Sequence, residues 1–216
     1  MIKAVLFDLD GTLADTAPDL GYALNQQRGR HGLPPLAPEI IRPYASHGTR
    51  GLLGIGFNLV PQDKSFPAMR EEYLKLYADN ICRHTRLFPG IPELLETLER
   101  RGIRWGVVTN KPARFTLPLL EQLGLSERSG CIVSGDSCAN AKPHPEPLLC
   151  ASSEIGVEPQ ACLYVGDAER DVEAALAAGM RVIIAGYGYL GADDRPEAWR
   201  AHGLIEAPAD ILGYLA

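Results

Sequence analysis

Apolar residues in the first 84 positions form one short run followed by a helical repeat. The run over 3–7 ends at a turn signal and predicts a buried β-strand. From 16 to 84 the apolar residues recur at three- and four-residue intervals, which predicts an all-helical segment. Four glycines between 48 and 56 predict a loosened stretch, with 46–50 as a loop. The helices predicted in this segment begin at about Thr16 as N-cap, span 38–43, and span 65–83.

After residue 88, strands and helices alternate. The strands are apolar without a two-residue alternation, which is typical of a parallel sheet buried on both faces. A glycine follows each of four predicted helices, as C-cap glycines do. The pattern predicts an α/β core, 1–15 and 85–216, interrupted by a helical insert, 16–84. The predicted strands span 103–108, 131–134, 162–165 and 181–185; the predicted helices span 91–101, 113–123, 147–155 and 169–178; the glycines are Gly102, Gly124, Gly156 and Gly179.

The amino-acid composition limits the classes of partner that this chain is expected to bind. A chain of 216 residues with a net charge of −6 and no cluster of Lys and Arg argues against nucleic acid or an anionic membrane surface, and favours a small-molecule partner. The five cysteines are scattered without a C-x-x-C pair, so neither a disulfide framework nor a zinc site is expected. No leader pattern and no apolar run near eighteen residues is found, and a cytoplasmic location is expected. A monomer and a homodimer both stay open.

Two carboxylates, Asp8 and Asp10, directly follow the first predicted strand. Side chains alternate along a strand, so these two lie on one side and at the strand end can face one pocket. Gly11 lets the backbone turn there. One carboxylate can then act as nucleophile while the other handles a proton. Capping of a turn is the alternative, but two carboxylates beside a buried strand are costly without a function.

Four further polar side chains follow other predicted strands or the loops after them. Ligands of an open parallel sheet bind outside the carboxyl ends of its strands, so these residues are expected at the edge that holds Asp8 and Asp10. Two of them also lie one helical turn apart on one helix face, where acids favoured by the helix dipole are an alternative explanation. The four residues are Thr109, Lys142, Asp167 and Asp171.

The carboxylates gathered at this edge constrain what the pocket can hold. Two like charges about 4 Å apart repel by roughly 4 kcal/mol at an effective dielectric constant of about 20. Lys142 supplies one compensating cation, and a divalent ion with oxygen ligands, Mg²⁺, is expected to supply the other. This combination suits a phosphate ester, whose transferring group carries negative charge.

Four separated motifs carry these residues in order along the chain. They are Asp8-Leu-Asp10-Gly-Thr12-Leu-x-Asp15, Thr109 with Asn110, Lys142 in Lys-Pro-x-Pro, and Gly166-Asp167-x-x-x-Asp171. In order and spacing they resemble the motifs of the haloacid dehalogenase superfamily of phosphohydrolases. The resemblance covers essentially the whole chain. It implies a Rossmann-like, doubly wound parallel sheet with an inserted α-helical cap.

The resemblance implies a two-step displacement. Asp8 would attack phosphorus and form an aspartyl-phosphate, while Asp10 protonates the leaving oxygen and then activates water. Thr109 and Asn110 would hold the phosphate of the substrate. Lys142 would neutralise Asp8 and the phosphoryl oxygens.

The same resemblance implies a Mg²⁺ site and a cap. The ion would lie between the Asp8 carboxylate, the Asp10 backbone carbonyl and Asp167, with Asp171 orienting Lys142 or a metal-bound water. The helical segment 16–84 would close over the pocket on hinges at Asp15 and 83–89. The candidate residues for reading the leaving group are His47 and Arg50, for which a solvated loop is an equally expected alternative.

The substrate and two other functions stay open. The layout looks like the phosphoglycolate phosphatase branch, whereas 104–115 and 187–196 resemble more closely the bacterial phosphatases that act on N-acetylmuramic acid 6-phosphate. A phosphosugar mutase shares all four motifs, and a receiver-like switch that accepts phosphate is the non-enzymatic alternative. Gly186-x-Gly188-x-x-Gly191 matches a dinucleotide fingerprint, but no helix opens directly after it, so a flexible loop is expected.

Overall fold

Eight β-strands and eight α-helices make up the computed structural model, which describes all 216 residues. The strands are β1 (Ala4–Phe7), β2 (Ala14–Asp15), β3 (Arg86–Leu87), β4 (Arg104–Val108), β5 (Ile132–Val133), β6 (Cys162–Gly166), β7 (Arg181–Ala185) and β8 (Leu204–Ile205). The helices are α1 (Ala17–Arg30), α2 (Pro38–Ala45), α3 (Gly48–Phe57), α4 (Phe66–Ala78), α5 (Ile91–Arg100), α6 (Ala113–Gln122), α7 (Glu146–Ile155) and α8 (Glu169–Ala177). Short 3₁₀ helices cover Pro159–Ala161, Pro196–Ala198 and Pro208–Tyr214.

Six strands form one parallel sheet in the order β5-β4-β1-β6-β7-β8. The central strand β1 is buried on both faces: Val5 and Phe7 pack into one apolar cluster, and Ala4 and Leu6 into the other. This two-sided burial explains why the strand is a continuous apolar run. The predicted α/β fold with a doubly wound parallel sheet is confirmed. Because the strands run the same way, β1, β4 and β6 end at one edge.

The four helices α1 to α4 leave the sheet and return through a two-stranded antiparallel ribbon of β2 and β3. Asp19, in the first turn of α1, ties the start of this helical segment to its end. Its buried carboxylate accepts hydrogen bonds of 2.8–2.9 Å from the N–H groups of His84 and Thr85 and from the Thr85 hydroxyl. No helix of the chain has the length and apolar character needed to cross a membrane.

Helix α3 occupies residues that were predicted to be loosened by glycines, with a loop over 46–50, and that prediction was wrong. The glycines permit close packing instead of flexibility. A Cβ at Gly56 would lie 2.6 Å from Cδ1 of Leu24 in α1, and a Cβ at Gly51 would lie 2.5 Å from Cβ of His47. Helices α1 and α3 therefore pack closely because α3 lacks side chains at the contact.

One helix end differs from its prediction, and another agrees in position but lacks the side-chain capping bond. Helix α4 ends at Ala78 instead of continuing to 83, because the side-chain amide of Asn80 donates to the carbonyl of Leu76 and satisfies the last turn. Thr16 stands at the N-cap position of α1, yet its hydroxyl makes no capping bond and donates to Asp10 instead. The four predicted C-cap glycines are confirmed, with φ between +65° and +73°.

Candidate active site

Asp8 lies just beyond the end of β1, where Lys142 meets it in the protein interior. Oδ1 of Asp8 is 3.1 Å from Nζ of Lys142, and the two side chains are 4% and 0% exposed. The same ammonium is 2.7 Å from Oδ1 of Asp171 and donates to the Tyr164 hydroxyl at 2.7 Å. The lysine therefore has a carboxylate on each side, as buried cations require.

Asp167, just beyond β6, completes a cluster of carboxylates. Asp8, Asp167 and Asp171 each offer an oxygen within 4.8 Å of the others. Oδ2 of Asp167 accepts the N–H of Tyr189 at 2.9 Å, and Oδ2 of Asp171 accepts the N–H of Ala168 at 3.0 Å. Asp171 is thus fully engaged by Lys142 and the backbone, whereas Asp8 and Asp167 keep unused oxygen lone pairs.

Because these carboxylates are buried, their ionised forms need positive charge nearby. Burial, with the charges of Asp8 and Asp171 adding to it, raises the pKa of Asp167 to about 8. Burial also raises the pKa of Asp8, against the opposing attraction of Lys142. The backbone carbonyl of Asp10 accepts no hydrogen bond within the protein. An all-oxygen donor set of two carboxylates and this carbonyl fits a hard divalent cation such as Mg²⁺, which would favour the charged forms.

The Asp10 carboxylate is held at one oxygen. Its Oδ1 accepts the Thr16 hydroxyl at 2.5 Å and the Lys111 ammonium at 2.8 Å. Burial lowers the pKa of Lys111, but attraction to Asp10 outweighs it and the net direction is upward. Lys111 was not predicted as a site residue, although its position after β4 placed it at the correct edge of the sheet.

Thr109 and Asn110 follow β4 and both line the site, but in different ways. Thr109 is 3% exposed, and its hydroxyl accepts the N–H of Lys111 at 3.1 Å. The side-chain amide of Asn110 pairs with the backbone of Lys142, donating to its carbonyl at 2.8 Å and accepting its N–H at 2.9 Å. The Asn110 side chain thereby fixes the loop that presents the lysine.

The loop after β7 was predicted to be flexible and is instead packed against the site. Tyr189 is 2% exposed. Its hydroxyl accepts the N–H groups of Thr16 and Ala17 at 2.6 and 2.8 Å and donates to Asp15 at 2.9 Å. A Cβ at Gly188 would lie 2.4 Å from Cβ of Asp167, so the glycine of the fingerprint makes room for a carboxylate.

A cavity of about 850 Å³ lies between the helical segment and the edge of the sheet. Asp8, Asp10, Thr109 and Asn110 line its floor, and the predicted His47 and Arg50 line it from the helical side, both exposed. Two arginines that were not predicted also line it. They are Arg70, in α4, and Arg170, at the start of α8, whose Nη2 donates to the Ser46 hydroxyl at 2.9 Å.

The sequence of this chain is similar to those of known proteins along most of its length. The family model described as haloacid dehalogenase-like hydrolase matches residues 5–185. An N-acetylmuramic acid 6-phosphate phosphatase of Pseudomonas aeruginosa is 40% identical over 214 residues, which is 99% of this chain and 95% of that protein. A phosphoglycolate phosphatase of Xanthomonas campestris is 42% identical over 209 residues, covering 97% and 94% of the two chains.

Among solved structures, a predicted phosphoglycolate phosphatase of Haemophilus somnus superimposes with a TM-score of 0.86. The two chains are 28% identical, and the match covers 100% of this chain and 98% of the other. The family model and the curated relatives each span most of the chain, and the shared fold agrees with them. This chain belongs to the haloacid dehalogenase-like hydrolases.

Proposed function

We propose that this hydrolase is a Mg²⁺-dependent phosphomonoesterase that transfers the phosphoryl group of a small ester to Asp8. One observation carries the proposal: the Asp8 carboxylate, the Lys142 ammonium and the carboxylate of Asp167 meet at one sheet edge, and Asp8 lines the floor of the cavity there. Two carboxylates with unused lone pairs and a buried lysine provide a nucleophile and the positive charge that a phosphoryl group needs.

Each residue at this sheet edge has a distinct part. Asp8 attacks phosphorus as an oxygen nucleophile, and Lys142 offsets charge on Asp8 and on the phosphoryl oxygens. Asp171 holds Lys142 in place through their 2.7 Å contact. Thr109 binds a phosphoryl oxygen through its hydroxyl. Asp10 passes a proton to the leaving oxygen and takes one from water in the second step.

Asp8, the Asp10 carbonyl and Asp167 would hold Mg²⁺, which supplies positive charge beside the transferring phosphoryl group when bound. The support for this assignment is the donor chemistry: carboxylate and carbonyl oxygens only, with raised pKa values for Asp8 and Asp167.

The segment 16–84 acts in this proposal as a cap that excludes water and reads the leaving group, with 1–15 and 85–216 as the core domain. Arg50 and Arg70 project from α3 and α4 to the cavity, and neither forms an ion pair within the protein. Two free guanidinium groups favour a leaving group that carries a carboxylate. Asn110 contributes its backbone to the substrate site.

Two esters with a carboxylate are the candidate substrates, and each is named for a relative. Phosphoglycolate is the first. N-acetylmuramic acid 6-phosphate is the second, and the cavity favours it, because 850 Å³ lies at the upper end of the range of about 300–1,000 Å³ that holds drug-sized ligands.

The test is release of inorganic phosphate from both esters with and without Mg²⁺, together with Asp8→Asn. We expect steady turnover that depends on Mg²⁺ and is lost in Asp8→Asn, since an amide is a far poorer nucleophile. Asp79→Asn, an exposed acid at the end of α4, is the matched control and should keep its rate. Single-turnover labelling without sustained release would instead favour the mutase or the receiver-like switch.

The variants His47→Ala, Arg50→Ala and Arg70→Ala test whether these side chains recognise the leaving group of the substrate. Each arginine variant should lower kcat/KM for the carboxylate-bearing esters by about tenfold or more, with little effect on p-nitrophenyl phosphate. Arg101→Ala, exposed and outside the cavity, is the control. Equal losses on every ester would assign these residues to folding or cap closure.

A further inference from the structure

Lys111 is a second buried lysine at the active-site edge, and its backbone is fixed on the core side. Its N–H donates to the Thr109 hydroxyl at 3.1 Å, and its carbonyl accepts the N–H of Gly135 at 2.9 Å and the hydroxyl of Thr116 at 2.9 Å. The side chain is 7% exposed and ends 2.8 Å from Oδ1 of Asp10. A lysine stem anchored in this way can place its ammonium at a defined point.

The cap supplies the other boundary of this ammonium. Nζ of Lys111 lies 4.8 Å from the centroid of the Tyr77 ring, at the end of α4. Tyr77 is 2% exposed and packs on Phe115 of the core at 5.5 Å between ring centroids. The Tyr77 hydroxyl makes no hydrogen bond of normal geometry, and Nζ of Lys111 lies over the ring.

The two donors that hold Asp10 bind the same oxygen. Lys111 and Thr16 both donate to Oδ1, and Oδ2 accepts no hydrogen bond from the protein. Thr16 begins the cap and contacts this carboxylate directly, whereas Tyr77, near the end of the cap, contacts the Lys111 ammonium that is paired with it. The free oxygen, Oδ2, belongs to a residue that lines the cavity.

We propose that Lys111 is a positioning residue: with Tyr77 it fixes Oδ1 of Asp10 so that Oδ2 faces the leaving oxygen of the substrate. This inference rests on the proposed function, which gives Asp10 its proton transfer. In that step the bond from Asp8 oxygen to phosphorus forms as the ester P–O bond breaks, and the proton on Asp10 Oδ2 moves to the departing oxygen. Lys111 also lines the cavity, and in this proposal it acts on the reaction through Asp10.

If Lys111 positions Asp10, the loss of cleavage rate in Lys111 variants should depend on the leaving group of the ester. An alkoxide leaves only with a proton, whereas p-nitrophenolate leaves without one. A misplaced Asp10 should therefore slow cleavage of phosphoglycolate and spare that of p-nitrophenyl phosphate. General acid catalysis is worth about 10²–10⁴-fold, which sets the size of the effect on the alkyl ester.

The experiment measures single-turnover ester cleavage, so that hydrolysis of the phosphorylated enzyme does not enter. Lys111→Met should cleave phosphoglycolate about 100-fold more slowly and p-nitrophenyl phosphate less than fivefold more slowly. The enzyme concentration that gives half the maximal single-turnover rate should change less than threefold for each ester. Lys111→Arg should recover at least a tenth of the lost rate. Lys75→Met, an exposed lysine of α4, is the matched control.

A second pair of variants covers the case in which Lys111→Met fails to fold. Tyr77→Leu removes the ring and Tyr77→Phe keeps it, so the leucine variant should lose more on phosphoglycolate, by about tenfold. Equal losses on both esters, or no loss in Lys111→Met, would overturn the proposal. If Asp8→Asn stays active, the proposed function itself fails; if it is inactive and only Asp10→Asn depends on the leaving group, this inference fails alone.

Discussion

Asp19→Ala should destabilise the protein at the point where the helical segment 16–84 joins the rest of the chain. The Asp19 carboxylate is fully buried and takes hydrogen bonds from the N–H groups of His84 and Thr85 and from the Thr85 hydroxyl. It connects the first turn of α1 to the segment that leads into β3. Removing it leaves the donors of His84 and Thr85, at the far end of the helical segment, without their acceptor.

The size of the stability loss depends on which of the freed donors water can reach. His84 is exposed, so water can take up its N–H, but Thr85 is fully buried and loses both partners. A hydrogen bond to a charged group contributes about 1.5–3 kcal/mol, so two of them contribute roughly 3–6 kcal/mol. The carboxylate itself is no longer desolvated in the variant, and this offsets part of the loss. We expect a net loss of about 2–4 kcal/mol in the free energy of unfolding.

Denaturant unfolding followed by circular dichroism measures this loss directly, and thermal unfolding should show a drop of roughly 5–15 °C. Thr85→Val, which removes one hydroxyl, should lose about 1 kcal/mol. Asp79→Ala, which removes an exposed carboxylate outside the hydrogen bonds of Asp19, is the control and should unfold like the parent. A loss below about 1 kcal/mol in Asp19→Ala would refute the reasoning, because buried donors would then find other partners.

Three further substitutions test separate parts of the site. Gly11→Ala should lose activity and about 2 kcal/mol or more of stability, because the φ of Gly11 is +82° and a Cβ would lie 2.1 Å from Oδ2 of Asp167. Gly32→Ala, at φ +70° with no atom within 4 Å of the added Cβ, is the control and should lose only about 1 kcal/mol. Chemical unfolding measures the stability of both variants, and phosphate release measures their activity. Lys142→Met should abolish turnover and cost about 3–5 kcal/mol, since it leaves Asp8 and Asp171 without their shared cation; the same two assays apply. Tyr189→Phe should cost about 1–3 kcal/mol in thermal unfolding, because two buried N–H groups lose their acceptor.

The sequence was enough to predict the sheet and the residues at its edge. A strand buried on both faces is apolar throughout, and the carboxyl ends of parallel strands converge, so the positions of Asp8, Thr109, Lys142 and Asp167 follow from local patterns and one topological rule. Asp171 followed from helical spacing. None of these inferences needed a distance between residues far apart in the chain.

What the sequence did not reveal depends on such distances. Glycines in α3 have the same composition as a loop, and only the approach of Leu24 shows that they serve packing. The role of Tyr189 depends on its reaching Thr16 across 173 positions of the chain. Lys111 lies beside a predicted motif, but its partner Asp10 is 101 residues away. Strands β2, β3 and β8 have two residues each and were not predicted, whereas β5, of the same length, lies within the predicted strand 131–134.

From the sum of charges at the site, we expect Mg²⁺ and phosphate to bind cooperatively. Four carboxylates, when ionised, face three cations, Lys111, Lys142 and Arg170, so one negative charge is left over. Burial and the neighbouring acids already raise the pKa of Asp167 to about 8. A divalent ion changes the sum to one positive charge, which then favours a dianionic phosphate.

Phosphate should therefore raise the Tm by little in EDTA, and Mg²⁺ alone should raise it moderately. The two together should raise it by more than the sum of their separate effects. Saturation at about 100 times Kd contributes about 2.7 kcal/mol, or roughly 5–10 °C for a chain of this size. Asp167→Asn, which removes a proposed ligand, should abolish the excess. An equal phosphate shift in EDTA and in Mg²⁺ would show that Lys142 and the arginines hold the anion unaided, and the leftover negative charge would then have no part in binding.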